Sequence, residues 1–565
     1  MYISSLIIRN FRNFGNATFK FRKGVNTVIG ENGSGKTNAF YALRMLLDSN
    51  LPRYALNLRE SDFNRSLDTD WKGHWIVISI NLEELSYDEI IQCLAVHEAG
   101  IADGSQKGNY NFYFRPKSHI RKKLYDLSIS DARDEEEIQH AIDEILISDY
   151  EPVITVGAPD INFNCDEFYK KNIGDFENLI FPNPDEEPIN ELGQYNRLLN
   201  IYNEISCTFA EALRNVVADL KSYRNNPLIT LLTSKENEIE DEDKEQIHTT
   251  IQGLNDRITG LPSVKKVSKG ILNTVRETVG DTYAPFVDLE ANLPNEISGL
   301  LRSLVLKVGD GDDPDYKGRI EELSLGGANL IYLSLKILEY HLELKKDKAA
   351  HFLLIEEPEA HIHTHIQKTL FEKINLDKTQ IIYSTHSTHV SEVSAIESVN
   401  ILSKDVKKAN VYHPSNGLNP DEIKRIERYL DATRSTLLFA KSVMLVEGDA
   451  ELILIPNIIK KVYGVSIDEL GISLINVGST SFTNIVNIFH EDRVQKKCAI
   501  ITDNDLSIID LPDDPKNDTL EQKSYRDAQK NGKERKVKLD QYGRNSDLSP
   551  LIFLGYRKNG REIAL

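Results

Sequence analysis

Gly30-Glu31-Asn32-Gly33-Ser34-Gly35-Lys36-Thr37 fits the pattern G-x-x-x-x-G-K-[ST]. It follows a strand-like run, Phe19 to Val28, and precedes a helical pattern through Ala42 and Leu46. In that context backbone N–H groups at a helix N-terminus can cradle phosphates, with Gly30, Asn32, Gly33 and Gly35 shaping the loop. Lys36 would then reach the β- and γ-phosphates of ATP, and Thr37 would ligate Mg²⁺. The competing reading is a glycine-rich turn that binds nothing, and the strand before it and helix after it argue against that. Trp75 to Leu82 reads as a further strand, so the opening of the chain has α/β grammar.

The same grammar returns from Leu301. His351-Phe352-Leu353-Leu354-Ile355-Glu356-Glu357-Pro358 is an apolar strand ending in two carboxylates. Adjacent side chains at a strand end point in different directions, so Glu356 can face the Mg²⁺ shell while Glu357 faces the attacking water as general base. Glu322-Leu323-Ser324-Leu325-Gly326-Gly327 opens a long apolar helix, which makes Ser324 and Gly326 candidates for a γ-phosphate receptor or, equally, a plain helix cap. The apolar strand from Gln380 to Ser384 runs into Thr385-His386, which places a histidine at a strand terminus, where it can sense the γ-phosphate.

Taken in order, phosphate loop, signature, carboxylate strand and histidine strand resemble the ABC, SMC and RecF-like ATPases. The resemblance implies an ATP site made by Lys36, Thr37, Glu356, Glu357 and His386 of one protomer and completed by Ser324 and Gly326 of its neighbour. A homodimer or higher symmetric oligomer is therefore expected. Two positions depart from the usual pattern: Glu356 stands where most ABC proteins have Asp, and Leu325 where the signature usually has glycine. The polar, helical stretch 223–280 would be an inserted dimerisation element, since a hairpin of that length reaches only about 40 Å at a rise of roughly 1.5 Å per residue.

The 565 residues, with a net charge of −20, suggest three or four globular units. Cys93, Cys165, Cys207 and Cys498 are widely separated and write neither a disulfide framework nor a zinc knuckle. With no apolar run near the ~18 residues that span a bilayer, a cytoplasmic protein without membrane contact is expected. The negative charge argues against nucleic acid on average, yet Lys523 to Lys538 is strongly basic. Lys530, Lys533, Arg535, Lys536 and Lys538 are thus candidate DNA contacts or, about as readily, a solvated face.

A second chemical site follows. Ser442 to Val446 is an apolar strand leading to Glu447-Gly448-Asp449-Ala450-Glu451, and Lys497 to Thr502 is another that ends in Asp503-Asn504-Asp505. Parallel strands place their carboxyl ends along one edge, so Glu447, Asp503 and Asp505 can converge as an all-oxygen Mg²⁺ or Mn²⁺ site. A strand-Glu-Gly followed by a strand-Asp-x-Asp resembles a toprim domain. That likeness implies that Asp503 and Asp505 hold metal, that Glu447 binds metal or acts as general acid/base, and that Glu451 ligates a second metal or orients water.

An ABC/RecF-like ATPase with a helical insertion and a C-terminal toprim domain resembles the OLD family nucleases, which include the Gabija nuclease subunit and effectors of some retron defence systems. The resemblance runs from Ile7-Ile8-Arg9-Asn10-Phe11-Arg12-Asn13-Phe14 to Asp505. It implies an α/β protein divided as 1–222 and 281–435 (ATPase), 223–280 (helical insertion) and 436–565 (toprim). The activity it implies is ATP-regulated, metal-dependent DNA cleavage in antiviral defence, with a partner protein or nucleic acid as a further expectation. OLD-type toprim domains supply a late lysine; Lys558 is the nearest counterpart before the sequence ends at Leu565.

Overall fold

A computed structural model of the chain describes residues 1–68, 70–86, 89–95, 106–131, 133–195, 201–212, 226–234, 239–279, 299–300, 304, 306–310, 313–319, 325–360, 362–363, 367, 380–388, 394–404, 408–430, 434–478, 482–503, 515–520, 522–524, 526–527 and 551–556. These fall into two units, Met1–Ala212 with Glu343–Leu565, and Leu213–Leu342.

The first unit opens with β1 (Tyr2–Phe11), β2 (Phe14–Lys20), β3 (Gly24–Gly30) and the helix α1 (Lys36–Leu47). It continues through β4 (Ile76–Glu83), β5 (Lys107–Pro116), α2 (Glu135–Asp143), β6 (Tyr150–Val156) and β7 (Ile205–Ala210). An antiparallel sheet takes the order β2-β1-β4-β5-β6. The expected run Phe19 to Val28 is two strands, because the chain leaves the antiparallel sheet after Lys20 and enters another at Gly24. The acidic stretch Asp131 to Tyr150, which reads as one helix, is helical over Glu135–Asp143. Asp134 caps that helix by accepting from Glu136 N, and Tyr150 already belongs to the edge strand β6.

After the second unit the chain returns as β10 (Ala350–Glu356), β11 (Gln380–Thr385), β12 (Val399–Lys404) and β13 (Ala409–Tyr412). With β3 and β7 these make a sheet ordered β13-β12-β3-β11-β10-β7, parallel except for β13. Strands β10 and β11 are almost wholly buried, which is why they read as continuous apolar runs and not as alternating ones. Helix α1 lies in the core between the two sheets. Its Phe40, Leu43 and Leu46 share that core with Phe11, Phe19, Ile78 and Phe112 of the antiparallel sheet and with Val28, Leu354 and Ile382 of the parallel one. This packing fixes the helix N-terminus at the carboxyl end of β3.

The second unit contains the hairpin β8 (Lys307–Asp310) and β9 (Asp313–Arg319), preceded by α3 (Asp241–Gly260) and α4 (Pro262–Val279) and followed by α5 (Leu325–Glu343), which ends at the unit boundary. Pro262 opens α4, the position where its missing N–H costs nothing, and so breaks the helical stretch in two.

The C-terminal part comprises α6 (Pro420–Tyr429), β14 (Ser442–Val446), α7 (Asp449–Tyr463), β15 (Ile472–Asn476), β16 (Lys497–Asp503) and β17 (Leu551–Tyr556). Its four strands are parallel in the order β15-β14-β16-β17. Its core is shared: Val443, Leu445, Ile475, Cys498 and Ile500 pack in one cluster with Ile29 of β3 and with Val399 and Ile401 of β12.

Lys496, just before β16, is buried and donates from Nζ at 2.6 Å to the carbonyl oxygen of Leu438, a residue of this cluster. Burial pushes its pKa down to about 8, with Glu31 of the β3–α1 loop opposing the shift. Between about pH 8 and its ordinary value near 10.5 the unfolded chain therefore binds the extra proton, and this group's contribution to stability rises with pH. Lys496→Met is expected to be more stable than wild type below pH 8, with the difference shrinking as the pH rises toward 10.5. Denaturant titrations of both proteins across that range check it.

Candidate functional site

The loop between β3 and α1 is held from outside. The Asn13 side chain donates to Ser34 O at 2.8 Å and accepts from Asn38 Nδ2 at 2.7 Å. Gly35 has φ +113°, and a Cβ there would lie 2.1 Å from Asn13 Nδ2, so both the backbone and the space demand glycine. Lys36 is only 4% exposed; its ammonium donates to Gly30 O at 2.8 Å and Glu31 O at 3.3 Å and lies 3.5 Å from Glu357 Oε1. Asn32 and Gly33 form the exposed tip of the loop.

β10 and β11 pair in register with Glu356 opposite Ser384, which brings both strand ends to this loop. Thr37 Oγ1 donates to Glu356 Oε1. Burial raises the Glu356 pKa, the Thr37 hydrogen bond opposes it, and the neighbouring Glu357 charge adds to the rise. Glu357 sits at φ +46°, a left-handed conformation that costs a non-glycine residue of order 1–3 kcal/mol. Its N–H is tied to Ser384 O at 3.0 Å, and the turn aims its carboxylate at Lys36 and at His386, whose Nδ1 is 3.9 Å away.

A third acid, Glu359, is absent from the sequence-based site. It is buried, accepts from Thr385 Oγ1 at 2.7 Å and from His386 N at 2.8 Å, and stands 3.2 Å from His386 Nδ1. The signal was its place three residues beyond Glu356, just past Pro358, within reach of the neighbouring strand end.

A cavity of about 490 Å³ opens on this cluster, lined by Gly33, Gly35, Lys36, Thr37 and Glu357, and also by Arg12, Arg65, Lys404 and Lys408. Sequence reasoning missed these four cations because they come from three distant segments without a motif. Arg12 is committed to Asp62 at 2.9 Å.

At the second site, Val446 is level with Asn476 and with Ile501, so Glu447 and Asp503 follow at the carboxyl edge of neighbouring strands β14 and β16. Asp449 Oδ1 accepts from Asn476 Nδ2 at 2.7 Å, which joins the start of α7 to the end of β15. Glu451, in the first turn of α7, is buried near Gly448. Asp505, the basic residues Lys530, Lys533, Arg535, Lys536 and Lys538, and Lys558 lie outside the described residues. So does Ser324; Gly326 is in the first turn of α5, in the second unit. Arg526, from the same basic stretch, is paired with Asp518.

Chemically, the first cluster combines a phosphate loop, a buried cation, a hydroxyl–carboxylate pair and two further acids around a histidine. Thr37 with Glu356 are hard oxygen donors of the kind that suit Mg²⁺ beside phosphate, and the acids at the toprim edge are equally all-oxygen. Because Glu357 holds a left-handed backbone, Glu357→Gly is expected to be about 1 kcal/mol more stable than Glu357→Ala, while both remove the candidate base. Denaturant unfolding and an ATP hydrolysis assay on the same preparation read the two effects.

Residues 1–390 match the family model described as AAA ATPase domain, and residues 438–505 match that described as Overcoming lysogenization defect protein-like, TOPRIM domain. The chain is similar to Endonuclease GajA of Bacillus cereus (strain VD045), 23% identical over 518 residues, covering 90% of this chain and 75% of the relative. It is also similar to the OLD nuclease of Thermus scotoductus (strain ATCC 700910 / SA-01), 26% identical over 291 residues, which is 47% of this chain and 52% of that one. Among solved structures, the SMC head domain from Thermotoga maritima aligns with a TM-score of 0.28 and 12% identity, over 73% of this chain and 98% of that one. An AAA ATPase domain implies nucleotide binding, and a toprim domain implies use of a divalent metal. No helix among the described residues is long and apolar enough to cross a membrane. The chain belongs to the AAA ATPase domain family through residues 1–390 and carries an OLD-like toprim domain after it.

Proposed function

We propose that this protein is an ATP-regulated, metal-dependent DNA endonuclease that serves as an antiviral defence effector. The observation that carries the reading is the presence, in one chain, of two acid-bearing strand-end sites built on a shared core: Lys36, Thr37, Glu356 and Glu357 at one, Glu447, Glu451 and Asp503 at the other. Relatives named endonuclease and OLD nuclease support the activity.

At the first site Lys36 and the loop N–H groups bind the triphosphate, Thr37 and Glu356 hold Mg²⁺, and Glu357 takes a proton from the attacking water. Ser324 and Gly326 of a second protomer complete that site, and the helices within 223–280 serve dimerisation, between ATPase segments 1–222 and 281–435. At the second site, in 436–565, Glu447, Asp503 and Asp505 hold Mg²⁺ or Mn²⁺, which when bound neutralises phosphodiester charge. Glu451, desolvated in the first turn of α7, orients water. Lys530, Lys533, Arg535, Lys536 and Lys538 contact the DNA backbone.

Supercoiled and linear DNA incubated with the protein and Mg²⁺ or Mn²⁺ tests this directly. Wild type is expected to cut, EDTA to stop it, and Asp503→Ala to lower the rate at least about 100-fold. Lys36→Ala should abolish ATP binding and change the response of cleavage to ATP. Absence of cleavage with ATP hydrolysis intact would replace this reading by an ATP-dependent DNA-binding scaffold.

A further inference from the structure

The buried carboxylate of Glu359 has an uneven environment. Its Oε1 accepts from Thr385 Oγ1 at 2.7 Å and from His386 N at 2.8 Å, and faces His386 Nδ1 at 3.2 Å. Its Oε2 is buried with no hydrogen-bond partner among the described residues. A strap between the β10 turn and the end of β11 needs only a neutral acceptor, and the two bonds to Thr385 and to the His386 backbone would be served by glutamine at no cost in buried charge. An acid in that place, with one oxygen left bare, is expensive unless the charge acts on something. What it faces is the imidazole. The His386 side chain is 45% exposed while its anchor is 4% exposed, and its Nδ1 is the nitrogen turned to both acids, 3.2 Å from Glu359 Oε1 and 3.9 Å from Glu357 Oε1, which leaves Nε2 on the far side of the ring.

We propose that Glu359 is the positioning residue of a Glu359–His386 dyad: its carboxylate accepts a hydrogen bond from Nδ1–H, fixes the ring orientation and tautomer, and leaves Nε2 to meet the terminal phosphate of a bound nucleoside triphosphate. The logic is that of carboxylate-oriented histidines in general, where an acid behind the ring sets which nitrogen carries the proton and stabilises the imidazolium when negative charge arrives in front. Gln367 closes the back of the arrangement. It donates from Nε2 to Ile362 O at 2.8 Å and accepts at Oε1 from Ser387 Oγ at 2.8 Å, so the turn that carries Glu359 and the segment that carries His386 are joined a second time, independently of the acid.

This inference rests on the nucleotide reading of the cavity, and the test separates the two. The full chain would be compared as wild type, Glu359→Gln, His386→Ala and the double variant, by ATP affinity and by steady-state hydrolysis. Glutamine keeps an acceptor for Thr385 and the His386 backbone and removes only the charge, so Glu359→Gln should melt close to wild type. It is expected to lower kcat about 10–100-fold with little change in ATP affinity. In the His386→Ala background it should then do nothing further, because the ring it acts through is gone. Multiplicative effects, or a Glu359→Gln protein with wild-type kcat, would overturn the dyad. ¹⁵N-histidine NMR of the nucleotide-free protein, assigned with His386→Ala, gives a readout that needs no turnover. A Nδ1–H tautomer in wild type supports the dyad even if wild type fails to bind ATP, an outcome that sinks the nucleotide reading alone, and a Nε2–H tautomer in wild type refutes it.

Discussion

A buried ammonium group organises this molecule. Lys36 is nearly inaccessible, and its charge is met by two loop carbonyls and by a single carboxylate 3.5 Å away. Burying a cation is costly without partners, and the elements around it hold those partners in place. Asn13 braces the loop from the β1–β2 turn. Helix α1 is clamped between two sheets so that its N-terminus cannot retreat. The register of β10 on β11 carries Glu356, Glu357 and His386 to the same point.

The strain at Glu357 belongs to the same economy of position. A strand that continued straight would send successive side chains to opposite faces, and only one of the two acids would reach the loop. The left-handed turn lets both do so, Glu356 onto Thr37 and Glu357 onto Lys36. Local backbone energy is exchanged for convergence of charge, a pattern expected where geometry matters more than local stability.

Much of this was legible from residue order. Gly30 to Thr37 fixed the strand–loop–helix unit, the apolar runs of β10, β14 and β16 announced strands leading into acids, and β10 and β11, covered on both faces, have no polar alternation to confuse the reading. What could not be read depended on approach in three dimensions. Glu359 looked like one more acid after a proline, and its partner lies on another strand. Arg12, Arg65, Lys404 and Lys408 meet only because the β1–β2 turn, the segment after α1 and the β12–β13 hairpin converge. The amphipathic stretch Asp131 to Tyr150 is longer than the helix it contains, Glu135–Asp143, and its last residue already pairs in β6.

The shared hydrophobic cluster has a consequence for how such a protein can be built. Ile29, Val399 and Ile401 of the parallel sheet belong to one buried cluster with Val443, Leu445, Cys498 and Ile500 of the toprim sheet. A cut in the connection between α6 and β14 would therefore bare apolar surface on both fragments, and neither half would be a clean, portable cassette. The two chemistries are therefore expected to melt together, as one cooperative piece.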